Sequence, residues 1–252
     1  MRQTAEKIKV SVVSYANSYP FIFGLMNHAV IEQIDLQLDT PSDCANKLLA
    51  GEVDLGLVPV AIIPQLTESH IISDCCIGAD GAVETVCLFS EVPLSEIDEV
   101  ILDYQSRTSV QLVQLLAEKH WKITPKWKQA DDNFIQDIKG RTAGVVIGDR
   151  AFPLRDKFPI IKDLAEEWKN LTGLPFVFAC WVSNRPLDAE FVSGFQEALN
   201  FGLSNKKEAI GLFANENHET LLWYVEKSIS YKLDDKKRQA MKLFHHWLSK
   251  SL

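Results

Sequence analysis

Four polar junctions in this 252-residue chain carry residue types from which a binding or reaction site can be built. Ser14-Tyr15-Ala16-Asn17-Ser18-Tyr19-Pro20 follows a strand-like run, Gln105-Ser106-Arg107-Thr108-Ser109 stands between a strand and a helix, Asp39-Thr40-Pro41-Ser42 is a junction of the same kind, and Gly148-Asp149-Arg150 closes a further strand. Polar groups at the carboxyl ends of strands lie where open α/β sheets bind ligands. The start of a helix adds N–H groups with no intrahelical partner and the positive end of the dipole, which suits a carboxylate or a phosphate. Ser106, Thr108 and Ser109 bring hydroxyl donors to that position, and Arg107 brings a cation, as a charge clamp or as an ion pair between lobes. Plainer uses stand beside these. Asn17 or Ser18 can cap the helix after Pro20, Ser106 or Thr108 can cap the later one, and an Asp after a strand and a glycine, as Asp149 is, often caps a loop. Loops of this composition at the same ends of two sheets, converging on one crevice, fit an anionic small molecule.

The elements that must carry these loops are legible in outline. Val10 to Val13, Ile34 to Leu38, Asp54 to Val60, Ile71 to Ile77 and Val86 to Ser90 are short β-rich runs bounded by turn residues. After Pro41, Cys44, Ala45, Leu48 and Leu49 form one apolar helical face that ends at Gly51, giving a β-α-β unit. A second block follows. Val100 to Asp103 reads as a strand, a helix opens near Thr108 with Val110, Leu112, Val113, Leu116 and Ala117 on its buried stripe, and Ala143 to Ile147 is the next strand. Phe176 to Val182 reads as a buried strand, and from Leu187 onward the pattern is helical. Two α/β lobes around a ligand cleft are expected, residues 1–91 plus 184–252 forming a discontinuous first lobe with a helical C-terminal part and 92–183 the second. Tyr15, Tyr104 and Trp181 are either core residues or rings that stack on a ligand.

Composition narrows the function. Thirty-four acidic against 26 basic residues give a net charge of -8, and no cluster of five or more Lys and Arg occurs, which argues against nucleic acid or an anionic membrane as the partner. No apolar stretch approaches the ~18 residues of a membrane helix, and the first seven residues lack the apolar region of a secretion signal, so a cytoplasmic protein is expected. Five cysteines, odd in number and without a CxxC pair, read as reduced buried thiols. His245-His246 reads as a surface pair and no metal site is expected. Dinucleotide, P-loop, zinc-protease and α/β-hydrolase signatures are missing. Oligomeric state is not legible.

Taken in order, these loops together with Gly51-Glu52-Val53-Asp54-Leu55-Gly56-Leu57-Val58-Pro59, Leu102-Asp103-Tyr104, Asp163-Leu164-Ala165-Glu166-Glu167-Trp168 and Thr172-Gly173-Leu174-Pro175-Phe176 resemble the chorismate dehydratase family of the futalosine route to menaquinone, from about Val10 to Trp181. The resemblance implies a type II periplasmic-binding-protein-like fold and a lyase that converts chorismate to 3-[(1-carboxyvinyl)oxy]benzoate and water, with no cofactor. It further implies that Ser106, Arg107, Thr108 and Ser109 hold one substrate carboxylate. Ser42 and the main chain near Thr40 assist at the other, and Ser14, Tyr15, Ser18 and Gly148 line the substrate. The reaction must remove a proton from C3 and a hydroxyl from C4. Asn17 cannot accept that proton at neutral pH, so the enolpyruvyl carboxylate of the substrate takes it while Asn17 orients a reacting group, or Asp149 serves as the acid-base residue. The competing expectation is a cytosolic binding protein or sensor for a small carboxylate, or another enzyme of the superfamily; turnover distinguishes the enzymes from the receptor.

Overall fold

A computed structural model describes residues 6–251 and divides into two compact units. The first runs to Ile77 and resumes over Ala179–Glu226; the second comprises Gly78–Phe178 and the chain from Lys227 onward. The crossings at 77/78 and 178/179 fall inside strands.

The first unit is built on β1 (Ile8–Val13), β2 (Ile34–Asp39), β3 (Leu55–Pro59), β4 (His70–Ala79) and β10 (Phe176–Ser183), in the order β2-β1-β3-β10-β4. β1 runs parallel to β2 (Ile8 opposite Ile34, Val13 opposite Asp39) and to β3, while β10 is antiparallel to β3. Carboxyl ends of three parallel strands therefore lie on one edge, and the first and third polar junctions emerge there. Helix α1 (Tyr19–Met26) opens directly after the first loop with Pro20 at its start, where a missing N–H costs nothing. Its position is set by α5 (Ala189–Ser204), against which it packs at backbone distance: a Cβ on Gly202 would sit 1.8 Å from the Pro20 carbonyl oxygen, and one on Gly24 2.1 Å from that of Ala198. Between this helix pair and the sheet, Trp181 is wholly buried edge-on to Phe21 and Phe195. α2 (Pro41–Leu49), α6 (Lys206–Phe213) and α7 (His218–Lys227) complete the named helices on this side.

The second unit repeats the plan with β5 (Val86–Ser90), β6 (Glu99–Leu102), β7 (Lys126–Gln129), β8 (Thr142–Ile147) and β9 (Ile160–Asp163), ordered β7-β6-β8-β5-β9. β6 is parallel to β7 and β8, and β5 is antiparallel to β8 and β9. Helices α3 (Thr108–Leu116), α4 (Leu164–Thr172) and α8 (Asp235–Ser251) belong here. The grouping of residues 227–251 with the second unit differs from the expected division at 91/92 and 183/184, and the packing explains it: Phe244 and Trp247 of α8 lie edge-on to the buried Trp168, and Phe244 also to Phe176. Among the described residues no helix is long and apolar enough to cross a membrane.

Candidate functional site

In the first unit the loops after β1 and β2 are tied to each other. Ser14 donates its N–H (3.0 Å) and its hydroxyl (3.2 Å) to the carbonyl of Asp39, the residue that ends β2. The Asp39 carboxylate is itself fixed by Ser11 Oγ (2.7 Å) and by Lys47 Nζ (2.7 and 2.8 Å), and its hydrogen bond raises the Lys47 pKa. Thr40 caps α2: its Oγ1 accepts from Asp43 N at 3.2 Å and donates to Asp43 Oδ2 at 2.6 Å, so its hydroxyl proton is already committed within the helix turn. Ser42 is buried in the first turn of that helix.

Asn17 is half-buried and held at both ends of its amide. Ser18 Oγ donates to Asn17 Oδ1 at 3.0 Å, and Asn17 Nδ2 donates to the hydroxyl of Tyr224 at 3.4 Å. Ser18 stands at the N-cap position of α1, yet its hydroxyl turns to Asn17 instead of to a helix N–H. An amide held in one orientation presents fixed donor and acceptor directions, which a freely rotating side chain does not. Tyr224 is fully buried on α7, in the C-terminal part that carries no sequence motif, so only its position in space reveals it.

In the second unit Asp103 follows β6 and begins the polar loop. Ser106 N donates to the Asp103 carbonyl (3.1 Å) and Ser106 Oγ accepts from Ser109 N (3.0 Å), so Ser106 closes the first turn of α3, as its capping reading expects, although the residue at the N-cap position is Arg107. Thr108 Oγ1 donates to the Phe178 carbonyl at 3.1 Å, anchoring the helix to the end of β10. Ser106, Thr108 and Ser109 are buried, while Arg107 and Tyr104 are exposed. After β8, Gly148 takes a left-handed φ of 68° and donates its N–H to the Thr85 carbonyl at 2.9 Å, turning the chain so that Asp149, half-buried, and Arg150 follow. Arg150 Nη2 reaches the buried Asp103 carboxylate at 2.7 and 2.9 Å and its guanidinium lies 5.6 Å from the Tyr104 ring centre. The pairing of Asp103 with Arg150 has no sequence signal, because no spacing rule joins residues 47 apart; the nearest hint is an acidic residue at the polar end of an apolar strand.

The fold therefore brings Ser14, Asn17, Ser18, Thr40 and Ser42 to one sheet edge, and Ser106, Arg107, Thr108, Ser109, Gly148 and Asp149 to the corresponding edge of the other sheet. Tyr15 precedes the short turn Ala16–Ser18, and its carbonyl accepts from Ser18 N. Trp181 is core, not a ligand platform. Among the described residues no group of three or more His, Cys, Asp or Glu side chains is placed to hold a metal ion.

Residues 8–250 match the family described as menaquinone biosynthesis. The chain is 27% identical to a chorismate dehydratase of Thermus thermophilus, covering 89% of this chain and 94% of that one. A protein of Archaeoglobus fulgidus superposes with a TM-score of 0.80 at 14% identity over 99% of both chains. A Candida albicans protein described as having the generic periplasmic binding protein structural fold superposes with a TM-score of 0.65 at 14% identity, over 98% of this chain and 91% of that one. At such identities the two structures speak to fold alone, and the fold is the two-unit α/β architecture described above.

Proposed function

We propose that this chain, which belongs to the menaquinone biosynthesis family, is a chorismate dehydratase, a hydro-lyase that removes water from chorismate to leave 3-[(1-carboxyvinyl)oxy]benzoate. The observation that carries the reading is the 27% identity to a chorismate dehydratase spanning 94% of that relative and therefore both units of this chain. The reaction breaks the C3–H bond, whose electron pair becomes a ring double bond, and the C4–O bond, whose electrons leave with the hydroxyl. The proton and the hydroxyl together make the water, and aromatisation drives the balance.

A dianionic substrate calls for two sets of donors. The loop Ser106–Ser109, at the start of α3, holds one carboxylate with help from Gly148 and the exposed Arg107. Ser14, Tyr15, Ser18, Ser42 and the Thr40 main chain take part at the other. The fixed amide of Asn17 orients the enolpyruvyl carboxylate, which takes the C3 proton, or steadies the departing hydroxyl. Asp149 is the rival acid-base group. The chemistry involves no change of oxidation state, and a cytoplasmic location with all five cysteines as buried free thiols belongs to the same reading.

The test is to incubate chelator-treated protein with chorismate and follow the water-loss product by liquid chromatography and mass spectrometry. Product formation supports the reading. Binding without turnover transfers it to a carboxylate receptor. Full activity of Asn17→Ala beside a folded but inactive Asp149→Asn would overturn the substrate-assisted step and leave the dehydration standing.

A further inference from the structure

The Asp103 carboxylate is wholly buried and both its oxygens are engaged. Oδ1 accepts from Gln105 N at 3.0 Å and Arg150 Nη2 at 2.9 Å; Oδ2 accepts from Ile147 N at 3.0 Å and Arg150 Nη2 at 2.7 Å. These donors come from the loop that leads to Ser106–Ser109, through Gln105 N, and from the end of β8 and the turn after it, through Ile147 N and Arg150. The strands beneath are already joined by a main-chain ladder pairing Glu99, Val100 and Ile101 with Thr142, Ala143 and Gly144. An ion pair is not needed to align them. What it adds lies past the ladder, in the turns. A buried carboxylate is retained at this cost only where partners satisfy it, and here the partners are one loop N–H, the N–H of the last residue of β8 and the guanidinium of Arg150 in the turn that follows. Because Asp103 cancels the guanidinium charge, Arg150 acts as a strut and not as the main attraction for an anion.

We propose that Asp103 is a positioning residue for the dehydration: through Gln105 N, Ile147 N and Arg150 it locks the Gly148–Arg150 turn to the Gln105–Ser109 turn, so that both loops meet the substrate carboxylate as one preformed set of donors. The inference rests on the chorismate dehydratase reading for the identity of the anion. Donors arranged before substrate arrives need no reorganisation in the transition state, and a misplacement of about 1 Å costs on the order of 100-fold in rate.

Steady-state kinetics with chorismate and amide hydrogen exchange of the substrate-free protein test it on Asp103→Asn, on Arg150→Gln, which removes the strut from its more exposed side, and on the double variant. The expected result for Asp103→Asn is a KM raised about tenfold and a kcat/KM lowered about 100-fold, with faster exchange confined to residues 104–109 and 148–150. Arg150→Gln shifts in the same direction, and the double variant is no worse than Asp103→Asn alone, because both act through one link. A variant that merely folds less well loses kcat in proportion to its folded fraction, keeps its KM and exchanges faster throughout the unit; that pattern, or additive losses in the double variant, overturns the proposal. Should Asp103→Asn fail to fold, Arg150→Gln and its exchange pattern decide alone. If the unsubstituted protein does not turn chorismate over, the dehydratase reading fails, and localised exchange at the two loops still distinguishes a lock from a folding element.

Discussion

Substituting Gly202 by Ala tests whether the position of the Asn17 loop is set by the helix pair beneath it. The added Cβ would stand 1.8 Å from the Pro20 carbonyl oxygen and 2.9 Å from Gly24 N, both backbone atoms that no rotamer change can remove. Relief to 3.0 Å at Pro20 requires α1 and α5 to separate by about 1.2 Å. Pro20 lies three residues after Asn17, so the same movement is delivered to the loop. Against the strain stands the gain of about 1 kcal/mol that alanine brings to a helix interior. Overpacking of this kind costs roughly 1–3 kcal/mol, and the top of that range or more where only backbone can yield, so a net loss of about 2 kcal/mol or more in urea denaturation is expected, together with a fall in kcat/KM of at least about tenfold. Gly194→Ala, on the same helix with nothing within 4 Å of its Cβ, is the control and is expected to stabilise by about 0.5–1 kcal/mol with activity unchanged. Equal stability and activity of the two variants would refute the reasoning, since it predicts opposite signs for the same chemical change on one helix.

Other substitutions report on other links. Tyr224→Phe removes the oxygen that receives the Asn17 amide and should lower kcat by about 2–10-fold, the range of one neutral hydrogen bond, with little change in thermal midpoint; unchanged kcat would show that Asn17 is oriented without it. Burial pushes the Cys44 thiol up to about 12, which leaves about one thiolate in ten thousand at pH 8, so a disulfide reagent should modify Cys44 only after denaturation; fast labelling in the native protein would contradict its burial. Asp54 is drawn upward by burial, but hydrogen bonds from Arg185 and from Lys9 N outweigh that and hold it below its ordinary value of 3.8. A depressed folded-state pKa contributes stability that is present above 3.8 and disappears as pH falls through the lower folded value. Asp54→Asn should therefore cost stability at neutral pH by the few tenths to about 1 kcal/mol of a partly exposed pair, and the gap to the unsubstituted protein should close in acid; a gap that widens below pH 3.8 would reverse the sign.

How much of this was legible beforehand follows from what each element shows to its neighbours. Val86–Ser90 coincides with its expected strand because every residue of it is buried and apolar or small, and the start of α3 at Thr108 follows from the apolar stripe behind it. β7 is absent from the sequence reading for the opposite reason: Lys126, Trp127, Lys128 and Gln129 are all exposed on an edge, where lysines blunt pairing with another chain and no alternation betrays a strand. β9, four residues long, gives too short a pattern. The polar loops lie where expected, at strand ends and helix starts, because these are local signals, and Ser106 reads both as a cap and as a candidate ligand donor because both uses need the same hydroxyl. The partners that fix those loops were invisible. Asp103 with Arg150 and Asn17 with Tyr224 are separated by 47 and 207 positions, and only folding makes them neighbours. The same holds for the division into units, since α8 owes its place to Trp168 and Phe176 and not to anything in its own periodicity.

The strand order of the first sheet also dictates an order of assembly. β10 lies between β3 and β4, yet it is made about a hundred residues after either. During synthesis the five strands of the second sheet, contiguous from Val86 to Asp163, are all available while the first sheet still lacks its middle. β4 has no strand beside β3 to add to until Phe176–Ser183 has inserted. Closing so long a loop costs entropy before any pairing rewards it, so the slow step of folding is expected at β10, and the nascent chain carries an unfilled slot beside β3 until that strand arrives.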